Sequence, residues 1–283
     1  VKDVNPGFQN GFVPGFFPFL YNGIFFFFWK TNNEGLELWR TDGTSSGTYL
    51  VKDINPGASD SHPINFTIQN GIVYFSADGG GTGHELWRTD GTASGTYLVK
   101  EFWAGSGDGL PNLFISWVHN NYFYFKAKGT GYNDDEIWRS DGTPTGTTIL
   151  KDINPGTNGC GSTTFQEFNN ELYFTANNGS IGKELWKTDG TTLGTVLVKD
   201  VNPGAGDGFG NGFGFMWQQN GFFYFQATAL GGNDYELWKS DGTTNGTTQL
   251  KDINPGVGGS FPSGSVIINN EHFFTADDGV HGK

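Results

Sequence analysis

ELWRTDGTSSGTYLVKDINPG, residues 37–57, is the stretch that decides the fold, because it returns. The E-[LI]-W motif begins at Glu37, Glu85, Glu136, Glu184 and Glu236, at spacings of 48, 51, 48 and 52 residues. From each glutamate to the lysine of the following V-K-D or L-K-D the separation is always 15, ending at Lys52, Lys100, Lys151, Lys199 and Lys251. All length variation therefore lies elsewhere in the repeat. D-G-T-x-x-G-T is a turn signal between two alternating segments, so the block reads as a β-hairpin. A turn centred near Thr44–Ser45 sets Thr41 against Thr48, Trp39 against Leu50 and Glu37 against Lys52. Such cross-strand pairs contribute roughly 0.2–1 kcal/mol each.

Working outward, two more strand candidates precede each block. In the second repeat they are INFTIQ (64–69) and IVYFSA (72–77), joined by Asn70-Gly71, a two-residue hairpin signal. The same Asn-Gly or Asn-Asn pair stands at 22–23, 120–121, 169–170, 220–221 and 269–270, which implies six units. Each unit has four short antiparallel strands, a to d. A period near 48 residues with four strands is the signature of a β-propeller blade. The expectation is an all-β, six-bladed β-propeller forming one domain over 1–283. Its units are approximately 8–57, 58–104, 105–156, 157–204, 205–256, and 257–283 joined by 1–7. VKDVNPG (1–7) is a d strand with no c strand before it, and GVHGK (279–283) stops where another E-L-W is due. The sixth blade is thus incomplete, and the chain is expected to be a fragment of a longer protein. Units one, three and five carry Gly/Phe-rich lead-ins and more aromatic b strands than the others. This pairing of blades adds an approximate three-fold symmetry.

Composition narrows the function. The net charge is −13, from 29 acidic and 16 basic side chains, with no basic cluster. Nucleic acid and anionic membranes need clustered positive charge, so neither is an expected partner. No apolar run approaches the roughly 20 residues of a spanning helix, and no membrane insertion of this segment is expected. Cys160 is the only cysteine, so no internal disulfide can form, and T-N-G-C-G-S-T has no basic neighbour to activate the thiol. It reads as a small loop residue.

The block E-[LI]-W-[RK]-[ST]-D-G-T-x-x-G-T, with the V-K-D-I-N-P-G that follows, resembles the ELWxxDGT repeat of bacterial proteins. The resemblance spans essentially the whole chain. It implies a large, secreted or surface-exposed bacterial protein of modular build, and it offers no catalytic residues to carry over.

The repeated aspartates Asp42, Asp90, Asp141, Asp189 and Asp241 each supply one carboxylate. Calcium takes six to eight oxygens, so a turn-capping role is expected and no metal site is assigned. The tryptophans Trp39, Trp87, Trp138, Trp186 and Trp238 recur too regularly for a single site and read as packing between neighbouring blades. No catalytic group and no cofactor is assigned. Candidate ligand-binding residues lie off the repeat. Phe19, Trp117 and Trp217 stand three residues before the a–b turn of the odd units, either in the blade interior or as a cluster lining a channel. Asp134 and Asp234 lie in the odd b–c loops, and Trp103 departs from the I-N-P-G pattern. Antiparallel connectivity puts the d–a and b–c loops on one rim, the candidate functional face. The expected function is a non-enzymatic extracellular or cell-surface module for display, adhesion or protein interaction. Its expected partners are other surface proteins, glycans, or further domains of the same chain. The alternatives are a carbohydrate-binding lectin and an enzyme with a central-channel site.

Overall fold

The computed structural model describes residues 19–105, 107–110, 117–128, 134–156, 158–161, 165–210, 212 and 214–283. The described residues form strands and turns without a helix. The first sheet holds β1 (Phe19–Tyr21), β2 (Ile24–Thr31), β3 (Gly35–Thr41) and β4 (Tyr49–Lys52). The second holds β5 (Ile64–Gln69), β6 (Ile72–Asp78), β7 (His84–Thr89) and β8 (Tyr97–Lys100). The third holds β9 (Trp117–His119), β10 (Tyr122–Lys128), β11 (Asp135–Ser140) and β12 (Thr148–Lys151). The fourth holds β13 (Phe165–Phe168), β14 (Glu171–Asn177), β15 (Lys183–Thr188) and β16 (Val196–Lys199). The fifth holds β17 (Phe215–Gln219), β18 (Phe222–Ala227), β19 (Glu236–Ser240) and β20 (Thr248–Lys251). The sixth has only β21 (Ser263–Ile268) and β22 (Glu271–Thr275). Strands neighbour one another in chain order within every sheet. This succession of four-stranded antiparallel meanders makes the fold all-β and β-propeller-like.

The chain groups into two compact units, where the sequence reading expects one domain. One comprises Val1–Lys128 with Arg139–Thr148, the other Gly129–Trp138 with Ile149–Lys283. In the first unit Phe26, Phe28, Leu38 and Val51 of the first sheet share a core with Val73, Phe75 and Trp87 of the second. In the second unit Tyr173, Leu185 and Val198 of the fourth sheet share one with Phe223, Phe225 and Trp238 of the fifth. The b strands read as continuous apolar runs because both faces are covered. Phe75 faces the first sheet's core, while Tyr74 packs on Phe123 at 4.8 Å between ring centroids.

Each a–b turn is made by two residues with positive φ, as at Asn70 (48°) and Gly71 (79°). The other five pairs have the same signs. This is the type I′ geometry whose twist matches that of the flanking strands.

The c–d hairpin differs from the simple register in one place. Trp39 lies opposite Leu50, and the Thr41 and Thr48 hydroxyls bond at 2.6 Å. Between Leu38 and Trp39 the register slips, so Lys52 stands opposite Leu38 and not opposite Glu37. The same bulge recurs at Leu86/Trp87, Leu185/Trp186 and Leu237/Trp238. A bulge sets two residues against one and re-aims the side chains beyond it. The expected Glu–Lys pair is therefore not formed. Lys52 donates instead to the carbonyl of Thr96 in the next sheet's hairpin (3.0 Å), and Lys151 does the same to Thr195 (2.7 Å).

Candidate functional site

The glutamates of the motif are buried, with Glu37, Glu85, Glu136 and Glu184 at 0% exposure and Glu236 at 1%. Each turns into the d–a connection that follows its hairpin. Glu37 accepts the Ile54 and Ser61 backbone N–H groups at 2.9 and 3.1 Å and the Ser61 hydroxyl at 2.7 Å. Glu85 accepts from Phe102 and Gly109, Glu184 from Val201 and Gly208, and Glu236 from Ile253 and Ser260. Glu136 accepts from Ile153 and Asn154, with the Cys160 thiol as its side-chain partner. Burial raises the carboxyls of Glu37, Glu136 and Glu184 to about 7 and that of Glu85 to about 8, against the opposing pull of these N–H groups.

The second contact of each glutamate falls 24 residues on, at Ser61, Gly109, Cys160, Gly208 and Ser260. These residues link successive sheets. Ser61 N–H donates to the Leu36 carbonyl at the start of β3, and the Ser61 carbonyl accepts from Asp78 at the end of β6. Cys160 does the same between Asp135 and Asn177. Cys160 is the loop residue that its glycine neighbours suggest, but it is fully buried and links two sheets. The same bonds bring each d–a connection beside the b–c turns of the sheets it links.

The D-G-T aspartates cap their own turns. Asp42 Oδ1 accepts Thr44 N–H and its hydroxyl at 2.9 and 2.7 Å, and Asp90, Asp141, Asp189 and Asp241 repeat the pair. These bonds hold Asp42, Asp90 and Asp241 below the usual carboxylate range. Trp39, Trp87, Trp186 and Trp238 are buried. Trp138 is half-buried, and Trp186 donates to the Ala176 carbonyl at 3.0 Å.

Asp134 and Asp234 occupy a recurrent position of the repeat. Both stand two residues before the glutamate, where units one, two and four have Gly35, Gly83 and Gly182 at φ 68°, 67° and 76°. A Cβ at any of those glycines would lie 2.0–2.3 Å from a backbone carbonyl oxygen of the facing d–a connection. In those units the connection supplies the acid itself. Asp60, Asp108 and Asp207 accept the N–H of Leu36, His84 and Lys183 at 2.7–2.8 Å. In units three and five the two residue types trade places. Asp134 and Asp234 face Gly159 and Gly259, where a Cβ would lie 2.5 Å from Asp135 N and 2.1 Å from Asn233 O. Asp134 is 4% exposed, so it does not offer the open carboxylate expected of a ligand contact. Burial and the neighbouring Glu236 and Asp252 raise the Asp234 carboxyl. Asp134, Glu136 and Asp152 bring one oxygen each within 4.8 Å of one another. Three carboxylates supply half or less of a calcium shell.

The candidate aromatics are packed. Phe19 stacks on Phe66 at 5.7 Å against the core of the first unit. Trp217, 8% exposed, lies between Tyr224 and His272, each at 4.8 Å. Trp117 is half-buried opposite Tyr124. Trp103 takes the place of Asn55, Asn154, Asn202 and Asn254, whose side-chain amides donate across the d–a connection at 3.1–3.4 Å. It is half-buried, and a Cβ on Gly107 would lie 2.7 Å from its ring.

On the same rim of the second unit, Tyr235 and Phe261 have ring centroids 6.0 Å apart. With Gln226, Gly210, Gly212 and Gly214 they line an open cleft of about 300 Å³. The varied residues of the fifth b–c loop (Gly-Gly-Asn-Asp-Tyr, 231–235) carry the signal for it, but Phe261 comes from the next unit. Residues 131–133 of the third b–c loop, and strand 1–4 expected beside the sixth sheet, lie outside the described residues.

No family model matches the sequence, and no curated protein matches it. Among solved structures, TolB from Acinetobacter baumannii matches over 80% of this chain and 51% of its own, at 11% identity and a TM-score of 0.38. Prolyl oligopeptidase B from Galerina marginata matches over 82% of this chain and 36% of its own, at 12% identity and 0.46. Oligopeptidase B from Leishmania major matches over 82% and 33%, at 10% and 0.43. The chain spans about half the length of the first and about a third of the other two.

Proposed function

We propose that this chain is a non-enzymatic repeat module of six blades, working outside the cell or on its surface. It presents the rim of d–a and b–c loops to a protein or glycan partner. One observation carries this reading. Every described glutamate of the E-L-W motifs is engaged by backbone N–H groups, and every D-G-T aspartate caps its own turn. The recurrent carboxylates build the scaffold, and the d–a and b–c loops carry residues that vary between units. The net charge of −13 and the resemblance to ELWxxDGT repeats support an extracellular setting.

A glycan is the second reading, favoured by the Tyr235–Phe261 cleft. Aromatic faces beside a side-chain amide and backbone groups suit a sugar ring. The purified chain, applied to a glycan array and to immobilised surface proteins of a candidate source, tests both. Saturable glycan binding lost in Tyr235→Ala supports the glycan. Binding to protein alone, lost on exchanging the b–c loops, supports adhesion. Turnover of a peptide or ester library would overturn the non-enzymatic reading.

A further inference from the structure

In the described structure β22 pairs with β21 and with no second strand. Its counterparts all have one. Phe75 lies opposite Trp87, Ser76 opposite Leu86 and Ala77 opposite Glu85. Phe174, Thr175 and Ala176 face Trp186, Leu185 and Glu184, and Phe225, Gln226 and Ala227 face Trp238, Leu237 and Glu236. EHFFTAD (271–277) aligns with ELYFTAN (171–177) without a gap. Phe274 therefore holds the place of Phe174. Phe75, Phe174 and Phe225 are 0% exposed, whereas Phe274 is half-buried. The free edge also has a matching charge. Glu171 pairs with Lys187 of β15 at 3.0 Å, and its counterpart Glu271 is exposed. Each E-[LI]-W strand carries Arg or Lys at that position, as Arg40, Arg88, Arg139, Lys187 and Lys239.

We propose that the outer edge of β22 is a docking site for a further strand of E-L-W-[RK]-[ST] sequence. The incoming strand adds by backbone hydrogen bonding, in the manner of β-augmentation. Its tryptophan lies opposite Phe274, its leucine opposite Thr275 and its glutamate opposite Ala276. Its basic residue meets Glu271. An uncovered edge is otherwise a template for non-specific pairing. Here the side chains select one sequence and one register.

The experiment uses the whole chain and a fluorescein-labelled peptide with the sequence of residues 184–200. Fluorescence anisotropy should show saturable binding, and amide exchange at 271–275 should slow on addition. A scrambled peptide should not bind. Replacing the peptide's fourth residue, the lysine equivalent to Lys187, with glutamate should weaken binding roughly two- to five-fold, the worth of one cross-strand charge pair. Glu271→Lys, on an exposed strand end, should restore it. Absence of binding, equal binding of the scrambled peptide, protection at another strand, or no rescue by Glu271→Lys would each overturn the proposal.

Discussion

At the residue scale, the buried glutamate is the main structural device of the repeat. A carboxylate holding two or three backbone N–H groups cannot be removed without leaving buried donors unpaired, at about 1–3 kcal/mol each. Glu85→Ala should therefore destabilise the chain by roughly 3 kcal/mol in urea unfolding. Asp90→Ala, which loses only an exposed turn cap, should fall nearer 1 kcal/mol. The raised carboxyls also set a pH dependence. Glu37, Glu136 and Glu184 at about 7 and Glu85 at about 8 favour the folded state most below their ordinary value of 4.5. That advantage is lost as pH rises through 7 to 8. The turn aspartates act oppositely, since their depressed values add stability that disappears on acidification below about 3.8. The Tm should therefore peak near pH 5 and fall toward pH 9 in calorimetry. In Glu85→Gln the alkaline slope should flatten; an unchanged slope would show that this carboxyl does not titrate in that range.

At the element scale, the trade of glycine and aspartate between the b–c turn and the facing connection makes a prediction about pairs. Gly159→Asp alone forces a Cβ to within 2.5 Å of Asp135 N and should destabilise the third unit. Combined with Asp134→Gly, it reproduces the arrangement of units one, two and four. The double variant should recover most of the loss, with a coupling above about 1 kcal/mol in a double-mutant cycle. Additive losses would mean that the two positions do not compensate. The a–b turns are a separate test. Asn70 and Gly71 have φ of 48° and 79°, so replacing both by alanine should cost roughly 2–4 kcal/mol. Amide exchange should rise first at β5 and β6.

At a larger scale, stability within each unit comes from sheets that share a core, with each linking residue tied into two of them. Cys160 reports on this directly. It is fully buried and bonded to both Asp135 and Asn177, so a thiol reagent should not modify it in native buffer. Its labelling should appear with the same urea midpoint as the loss of tryptophan fluorescence. Labelling at much lower urea would mean that the link opens before the sheets separate.

The sequence by itself determined the repeat, the strand order and the turns. Period, alternation and Asn-Gly pairs are local signals, and local backbone geometry reads them directly. The opposed Thr41 and Thr48 and the turn-capping role of Asp42 were legible for the same reason, since their partners lie within seven residues. Only the tertiary structure decided where Glu37 points. A one-residue bulge, invisible in the spacing, turns it from Lys52 to an N–H group 24 residues away. Tertiary structure also decided what faces Asp134 and Asp234. From sequence they stand out as acids in variable loops, which looks like ligand chemistry. Across from them stand Gly159 and Gly259, 25 residues on, whose missing side chains make room for the facing backbone. Such pairs follow from how one sheet meets the next, and no local pattern encodes that contact.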